Sequence, residues 1–397
     1  MLNLNEMNRF GKNSSRDIDE AIDNLKPLNT TKTENYIWKQ FQEFCEQRNY
    51  ELTAWTSNDE LGNILKDWAF NMKRKDGSDY KEGVVKTIWN VNAKLLQEQY
   101  FKNHNRKIDP FKDLAFEGAR KARSTKRKQL QLIPEKRKAS SAALTRDEIL
   151  KIIQNFDENT PDGLQKKFYQ IAAVELAWRG NEAASCVVNF FKKELNNYGL
   201  PTGRLEYNTI FGKTAQGGDK NLVDSKWLTP IKENEDLCPV RLYEKMMFKR
   251  TPNIKTNRLF LTPNNNWKTT NVWCKNCPVG VNQISKWTRL GAENVGIDTK
   301  KARITNHSNR SSAVSVLANA GANLQEIIKV TGHSTPNSLK PYLKLNEQHH
   351  TKIINQIRNN QNVSSSSVPS TSSLQQQEPL NTNNIYYNNC IFHFHNN

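Results

Sequence analysis

The sequence has no long apolar run and little cysteine. None of its hydrophobic stretches approaches the roughly 20 residues that a membrane-spanning helix needs. The first residues, Met1 to Glu6, lack the charged and then apolar pattern of a secretory signal, which predicts an intracellular protein. Six cysteines scattered over 397 residues do not form a disulfide framework, so we expect reduced thiols.

Acidic residues are too few to balance the basic ones. The chain holds 58 Lys and Arg against 40 Asp and Glu, which gives a formal net charge of +18. An excess this large favours a polyanionic partner, and nucleic acid is the commonest one. Solubility alone is the alternative, but the Lys and Arg residues also cluster locally, which favours nucleic acid.

The N-terminal third predicts a small helical domain. Residues 1–28 are polar and we expect them to be a loosely ordered extension. Thr31 and Glu34 have the spacing of a capping box, and apolar residues then recur at helical spacing up to about residue 118. Because the aromatic residues follow that spacing, they are predicted to form a core and not a surface that stacks bases.

Residues 119–140 contain almost no acid. Pro134 excludes a continuous helix, so we expect an interdomain linker. Its cations are predicted to follow a DNA backbone. The alternatives are a solvated tether or a nuclear localisation signal. The residues predicted to contact DNA are Arg120, Lys121, Arg123, Lys126, Arg127, Lys128, Arg137 and Lys138.

A second domain is predicted over residues 141–360. Thr145 and Glu148 form another potential capping box, and helical patterns dominate from there. Residues 203–213 indicate a hairpin or strand, and residues 259–261 another short strand. The predicted fold is therefore mainly α with a small β-sheet or hairpin. Residues 361–397 are rich in Ser, Gln and Asn and are expected to be disordered.

The C-terminal part of this domain groups residues that can attack a phosphodiester. His307 and Arg310 are followed by His333 and then by Tyr342. A Tyr oxygen can displace a DNA strand, Arg can fork onto phosphate oxygens, and His can move protons near neutral pH. None of these steps needs a metal ion.

The segment from Ile304 to Ala313 resembles the His-x-x-Arg box of tyrosine recombinases, and most closely that of the eukaryotic Crypton-type domain. Two upstream segments extend the resemblance. Ala177 to Glu182 is similar to the first arginine box, with Glu182 placed to orient Arg179. Gly212 to Gly218 is similar to the lysine segment of the family, where Lys213 matches the general-acid lysine of a β-hairpin.

The resemblance implies a role for each of these residues. Tyr342 attacks the scissile phosphate, Arg179 and Arg310 hold the phosphate oxygens, and Lys213 protonates the leaving 5′ oxygen. His307 assists proton transfer from Tyr342, and His333 hydrogen-bonds the phosphate. It also implies an N-terminal core-binding, SAM-like domain, a tyrosine-recombinase catalytic domain, double-stranded DNA as partner, a tetramer on DNA and a nuclear location. No cofactor, metal, membrane or small-molecule substrate is implied.

Two alternatives remain open at this point. Cys274 and Cys277 have metal-ligand spacing, but a structural zinc site needs four ligands and no second Cys-x-x-Cys exists in the sequence. Pro341 directly precedes Tyr342 and restricts the backbone there. A domesticated descendant that binds DNA or chromatin without cutting it is therefore the alternative to an active recombinase.

Overall fold

A computed structural model describes residues 13–137, 140–180, 182–208, 226–333, 335–343 and, between 350 and 358, all but 352, 353 and 356. The chain divides into two compact units. The first comprises residues up to 142 together with 286–308, and the second comprises residues 143–285 and those from 309 onward. In the described part of the chain, no helix has the length and apolarity needed to cross a bilayer.

The described part of the first unit is helical. Its first five helices are α1 (Ser15–Leu25), α2 (Leu28–Gln47), α3 (Asn58–Asn71), α4 (Glu82–His104) and α5 (Glu117–Leu132). The predicted apolar face of α2 is buried in the core with residues of α3 and α4, among them Phe41, Trp68 and Trp89. These three aromatic residues therefore belong to a core, as their helical spacing predicts.

Two N-terminal features differ from the sequence analysis. Residues 15–25, expected to be loosely ordered, form α1, and its apolar residues Ile18 and Ile22 are exposed. Thr31 does not cap a helix, because α2 begins at Leu28 after Pro27. Its supposed partner Glu34 lies inside the helix and forms an ion pair with Lys26 at 2.5 Å.

The basic segment is helical over most of its length. Residues 117–132 form α5, and Pro134 then begins a short 3₁₀ turn. Ala119 and Leu130 of α5 are buried in the core of the first unit. The sequence analysis did not predict this helix, since its few apolar residues are hidden among the cations.

The second unit is mainly helical with two small antiparallel sheets, which confirms the predicted fold class. Its elements up to residue 285 are α6 (Arg146–Gln154), α7 (Pro161–Glu175), α8 (Glu182–Ser185), β1 (Phe191–Leu195), β2 (Pro201–Tyr207), β3 (Lys226–Leu228), α9 (Pro239–Lys249), β4 (Leu261–Pro263), α10 (Trp267–Thr270), β5 (Cys274–Pro278) and α11 (Val281–Ile284). Next come α12 (Trp287–Asn294) in the first unit, α13 (Asn306–Asn319), which belongs to the second unit from residue 309, and α14 (Leu324–Thr331).

The larger sheet has the strand order β1-β2-β3. Tyr207 of β2 is paired with Phe191 of β1 on one side and with Lys226 of β3 on the other. The hairpin or strand predicted at 203–213 is confirmed for residues 203–207, which lie in β2 and pair with the polar segment β1 before it. Residues 209–213 lie outside the described residues. The sheet places the first residue of β3, the half-buried Lys226, beside the C-terminal end of α7.

Trp178 anchors the core of this unit. It is 2% exposed and its ring packs against Tyr169, Tyr207 and Phe260. Helix α6 begins with the capping box predicted from the sequence, in which Thr145 and Glu148 each accept a hydrogen bond from the other's backbone N–H. The capping box thus fixes the start of α6 before α7, and Trp178 anchors the segment that follows α7.

Candidate active site

Two helix C-termini face the same cluster of cations in the second unit. Helix α7 ends at Glu175, and Ala177 then adopts a left-handed conformation with φ of +48°. Helix α14 ends at Thr331, and Gly332 follows with φ of +65°. The last carbonyl groups of a helix have no partner within it and carry partial negative charge, so they attract cations.

Arg310 is held between these two ends. Its Nη1 donates to the carbonyl oxygens of Ala177 at 2.6 Å and Thr331 at 2.5 Å. The side chain is buried, with 2% of the residue exposed, and its Nη2 finds no acceptor among the described residues. Burial and the neighbouring Arg179 lower the pKa of Arg310 to about 10, while Glu182 and Tyr342 oppose that shift.

Arg179 follows the turn after α7 and is fixed by Glu182. One carboxylate oxygen of Glu182 accepts from the Arg179 backbone N–H at 2.8 Å, and the other accepts from its Nη1 at 2.9 Å. The Nη2 of Arg179 donates to the carbonyl oxygen of Gly332 at 3.0 Å. Glu182 therefore makes the contact with Arg179 that its position in the sequence predicts.

Lys226 is a member of this cluster that the sequence analysis missed. It begins β3, and its Nζ donates to the carbonyl oxygen of Leu176 at 2.5 Å. Burial and the charge of Arg310 lower its pKa to about 8, with a further contribution from Arg179 against the opposing effect of Glu182. No motif marks Lys226, and only the pairing of β3 with β2 could have located it.

His333 and Tyr342 lie next to each other. Nδ1 of His333 is 2.6 Å from the hydroxyl of Thr331, and its ring centroid is 5.6 Å from that of Tyr342. Tyr342 lies in a turn after a short 3₁₀ helix, and its backbone N–H donates to the Leu339 carbonyl at 2.8 Å. Pro341 is accommodated in this turn. The Tyr342 ring packs against a small core that includes Val314.

The structure therefore brings Arg179, Arg310, His333 and Tyr342 together, although they span more than 160 positions of sequence. His307 lies in the first turn of α13, one turn before Arg310, and is half-buried. Lys213 lies outside the described residues, so its predicted place in the site stays a prediction.

Most of the cations predicted to contact DNA are engaged within the first unit. Arg127 pairs with Glu82 at 2.8 Å and Lys126 with Asp79 at 2.9 Å. Arg123 lies over the ring of Trp89. The remaining contacts are with Glu117 for Lys121 and with backbone carbonyls for Arg120 and Arg137. Lys128 is exposed, and Lys138 lies outside the described residues.

The described residues contain no group of three or more His, Cys, Asp or Glu side chains that could hold a metal ion. Cys274 and Cys277 both lie on β5, where Cys274 is half-buried and Cys277 is exposed. Burial raises the pKa of the Cys274 thiol to about 11, which disfavours the thiolate that binds metal.

Solved structures with a similar fold are tyrosine recombinases and integrases. The XerH site-specific recombinase in a post-cleavage complex with palindromic difH substrate superposes with a TM-score of 0.51 and 13% identity, over 80% of this chain and 77% of that chain. The Tn1549 transposon integrase in complex with transposon right end DNA gives 0.49 and 15%, over 86% and 98%. No protein-family model matches the sequence, and the search of curated proteins found no match either.

The XerH comparison and the helical architecture define the fold as that of the tyrosine recombinases. At this identity the similarity concerns the fold alone.

Proposed function

We propose that this protein binds double-stranded DNA and breaks and rejoins its strands through a phosphotyrosyl intermediate, as a tyrosine recombinase of the Crypton type. The observation that carries the proposal is the buried guanidinium of Arg310, which keeps one nitrogen without an acceptor among the described residues. Its Nη1 donates to the carbonyl of Thr331, whose hydroxyl contacts His333, and the His333 ring lies beside Tyr342. A buried, unsatisfied cationic donor is costly unless a ligand pairs with it.

A phosphodiester suits this cluster. Carbonyl oxygens of Leu176, Ala177, Thr331 and Gly332 now accept from Lys226, Arg310 and Arg179. The non-bridging oxygens of a phosphate can take the place of some of these acceptors and add a full negative charge. Arg179, Arg310 and Lys226 against Glu182 leave a formal charge of +2, which matches an anion whose charge grows in the transition state.

The reaction follows from the order of the groups. The Tyr342 oxygen attacks phosphorus, the bond to the 5′ oxygen breaks, and a 3′-phosphotyrosyl link forms. His307 assists the transfer of the phenolic proton, and Lys213 supplies the proton that the 5′ oxygen takes up. His333, whose Nδ1 is held by the Thr331 hydroxyl, hydrogen-bonds the phosphate. Attack by the free 5′ hydroxyl of a second strand reverses these steps and rejoins the DNA.

The wider DNA contact is electrostatic. The net charge of +18 favours association with the phosphate backbone, and among the cations of α5 Lys128 is the best placed to contribute because it is exposed. Strand exchange needs several protomers on one DNA, so we propose a tetramer on DNA and, from the eukaryotic resemblance, a nuclear site of action.

Covalent capture tests this proposal. A library of nicked duplexes with randomised sequence lets the cleaved 5′ fragment diffuse away, so that the phosphotyrosyl adduct accumulates and its DNA can be sequenced. We expect an adduct with the wild-type protein and none with Tyr342→Phe. If the wild-type protein binds DNA yet forms no adduct, the chain is a non-cutting DNA-binding descendant and the proposed chemistry is wrong.

A further inference from the structure

Lys226 contributes to the charge of the proposed phosphate site, but it lies in no sequence motif and has no assigned role in the proposed reaction steps. Lys226 begins β3, away from the segment around Lys213, and its side chain reaches the C-terminus of α7. Its Nζ lies near Gly332 at the end of α14, since a Cβ added to that glycine would stand 3.7 Å from the nitrogen. Lys226 thus donates to the C-terminal end of α7 and lies near that of α14.

We propose that Lys226 is a third cation of the phosphate site, which contacts a non-bridging oxygen directly and takes up a proton when an oxyanion binds. The inference rests on the proposed function for the identity of the natural anion, a DNA phosphate. The binding of an oxyanion at this position is a separate property, and it can be tested without DNA.

The geometry supports a charge contact. Leu176 accepts a hydrogen bond from the Lys226 Nζ, and an ammonium group carries three donors, so further donors remain for a ligand. The positive charges of Arg310 and Arg179 repel the charged Lys226 Nζ, and the carboxylate of Glu182 attracts it. An anion placed between the three cations relieves their mutual repulsion and satisfies Arg310 Nη2.

The same neighbours make Lys226 sensitive to pH. Burial and the two arginines lower its pKa to about 8, so part of the population is neutral in mildly alkaline solution. A bound anion favours the charged form and raises the pKa again. Binding therefore draws a proton from solvent at pH values between the pKa of the free site and that of the complex. Affinity is greatest below a pH of about 8 and declines above it.

Inorganic sulfate is the probe for this test, because it keeps its double negative charge through the whole range in which Lys226 titrates. We would measure sulfate binding by calorimetry at constant ionic strength, in two buffers of different ionisation enthalpy, on either side of a pH of about 8. The wild-type protein should bind saturably and take up a proton at the higher pH. Arg310→Gln should abolish binding, which assigns the sulfate to this site.

Two variants of Lys226 separate the effect of its positive charge on sulfate affinity from its uptake of a proton. Lys226→Met should weaken sulfate binding by about tenfold or more and abolish proton uptake. Lys226→Arg should keep most of the affinity without the uptake, because a guanidinium does not titrate there. Lys192→Met removes an exposed lysine from β1 of the same sheet and should behave as wild type. Thermal unfolding without sulfate checks that each variant is folded.

Several outcomes would overturn the inference. Absence of saturable binding, wild-type affinity in Lys226→Met, or proton uptake that persists in that variant would each do so. If Lys226→Arg does not fold, the wild-type and Lys226→Met results still decide. In covalent capture, recovery of Lys226→Met by a 5′-bridging sulfur substrate would make Lys226 the proton donor and contradict the charge-clamp role. An adduct at Tyr342 with no effect of Lys226 on sulfate would leave the proposed function standing while this inference fails.

Discussion

Arg310 donates a hydrogen bond of 2.6 Å to the carbonyl oxygen of Ala177, a residue 133 positions earlier whose φ is +48°. The left-handed backbone at Ala177 turns the chain out of α7 immediately before Trp178 and Arg179. A non-glycine residue adopts this conformation only when its surroundings stabilise it. The turn between α7 and α8 is therefore built around the cation site, and several expectations follow from its neighbours.

Glu182→Gln should slow adduct formation more than it weakens DNA binding. The carboxylate holds Arg179 through both its backbone N–H and its guanidinium, and the amide keeps only one acceptor and no charge. We expect the rate of adduct formation to fall about tenfold to a hundredfold. Glu244→Gln, which removes the exposed partner of Lys193, is the matched control. Equal rates of adduct formation for wild type and Glu182→Gln would show that Glu182 does not position Arg179 for the reaction.

Trp178→Ala should destabilise the second unit strongly. The indole is buried and contacts three aromatic rings, so its loss leaves a large cavity worth about 3–5 kcal/mol of unfolding free energy. Trp178→Phe retains part of the contact and should lose clearly less. Urea denaturation measures both. A change near zero for the alanine variant would mean that the core does not depend on this residue.

The buried carboxyl of Glu175 should make the protein's free energy of unfolding depend on pH. Burial raises the pKa of this carboxyl to about 7 from its ordinary value of 4.5, and a negative charge at the C-terminal end of α7 is also unfavourable. A raised pKa contributes stability below the unfolded value of 4.5, and that stability is lost as pH rises through about 7. Glu175→Gln should therefore be more stable than wild type in alkaline solution, by roughly 1–3 kcal/mol.

The two proteins should converge in acid, where the wild-type carboxyl is protonated. Thermal or urea unfolding of both proteins from acid to mildly alkaline pH checks the expectation. A constant difference at all pH values would show that the carboxyl does not titrate as its burial indicates.

Lys128 and Lys39 test the electrostatic contact with DNA. Both are exposed lysines of the first unit, on α5 and α2 respectively. If α5 contacts the DNA backbone, Lys128→Gln should reduce the slope of log affinity against log salt by about 0.9, the value for one phosphate contact. Lys39→Gln removes the same charge from another helix and should change the slope less. Equal slopes for wild type and Lys128→Gln would leave α5 a purely structural helix.

The parts of the fold that could be predicted are those with strong local signals. The capping box at Thr145, the apolar pattern of α7 and the aromatic core of α2 and α3 all follow from spacing. Helix α5 could not be found in this way, because its cations conceal two buried residues and are satisfied by partners such as Asp79 and Glu82, distant in sequence. Strand β1 was missed since only Phe191 is buried in it.

The residues of the candidate site also differ in how far the sequence predicts them. Arg179, His307, Arg310, His333 and Tyr342 occur in short motifs and could be named from the sequence. Lys226 lies in no motif, and its place in the site depends on strand pairing between β2 and β3. The hydrogen bonds from these cations to helix C-termini could not be predicted either. The carbonyl groups that accept them lie at the ends of α7 and α14, about 150 residues apart in sequence.

The measurement that tests the central claim most directly is the identification of the residue that carries DNA after capture on nicked duplexes. Digestion of the adduct and mass spectrometry should place the nucleotide on the oxygen of Tyr342 through a 3′ phosphate. The adduct should be absent in Tyr342→Phe, whose DNA affinity should stay near that of wild type because phosphate contacts dominate binding. Attachment to another residue, or strand cleavage that persists in Tyr342→Phe, would contradict the account.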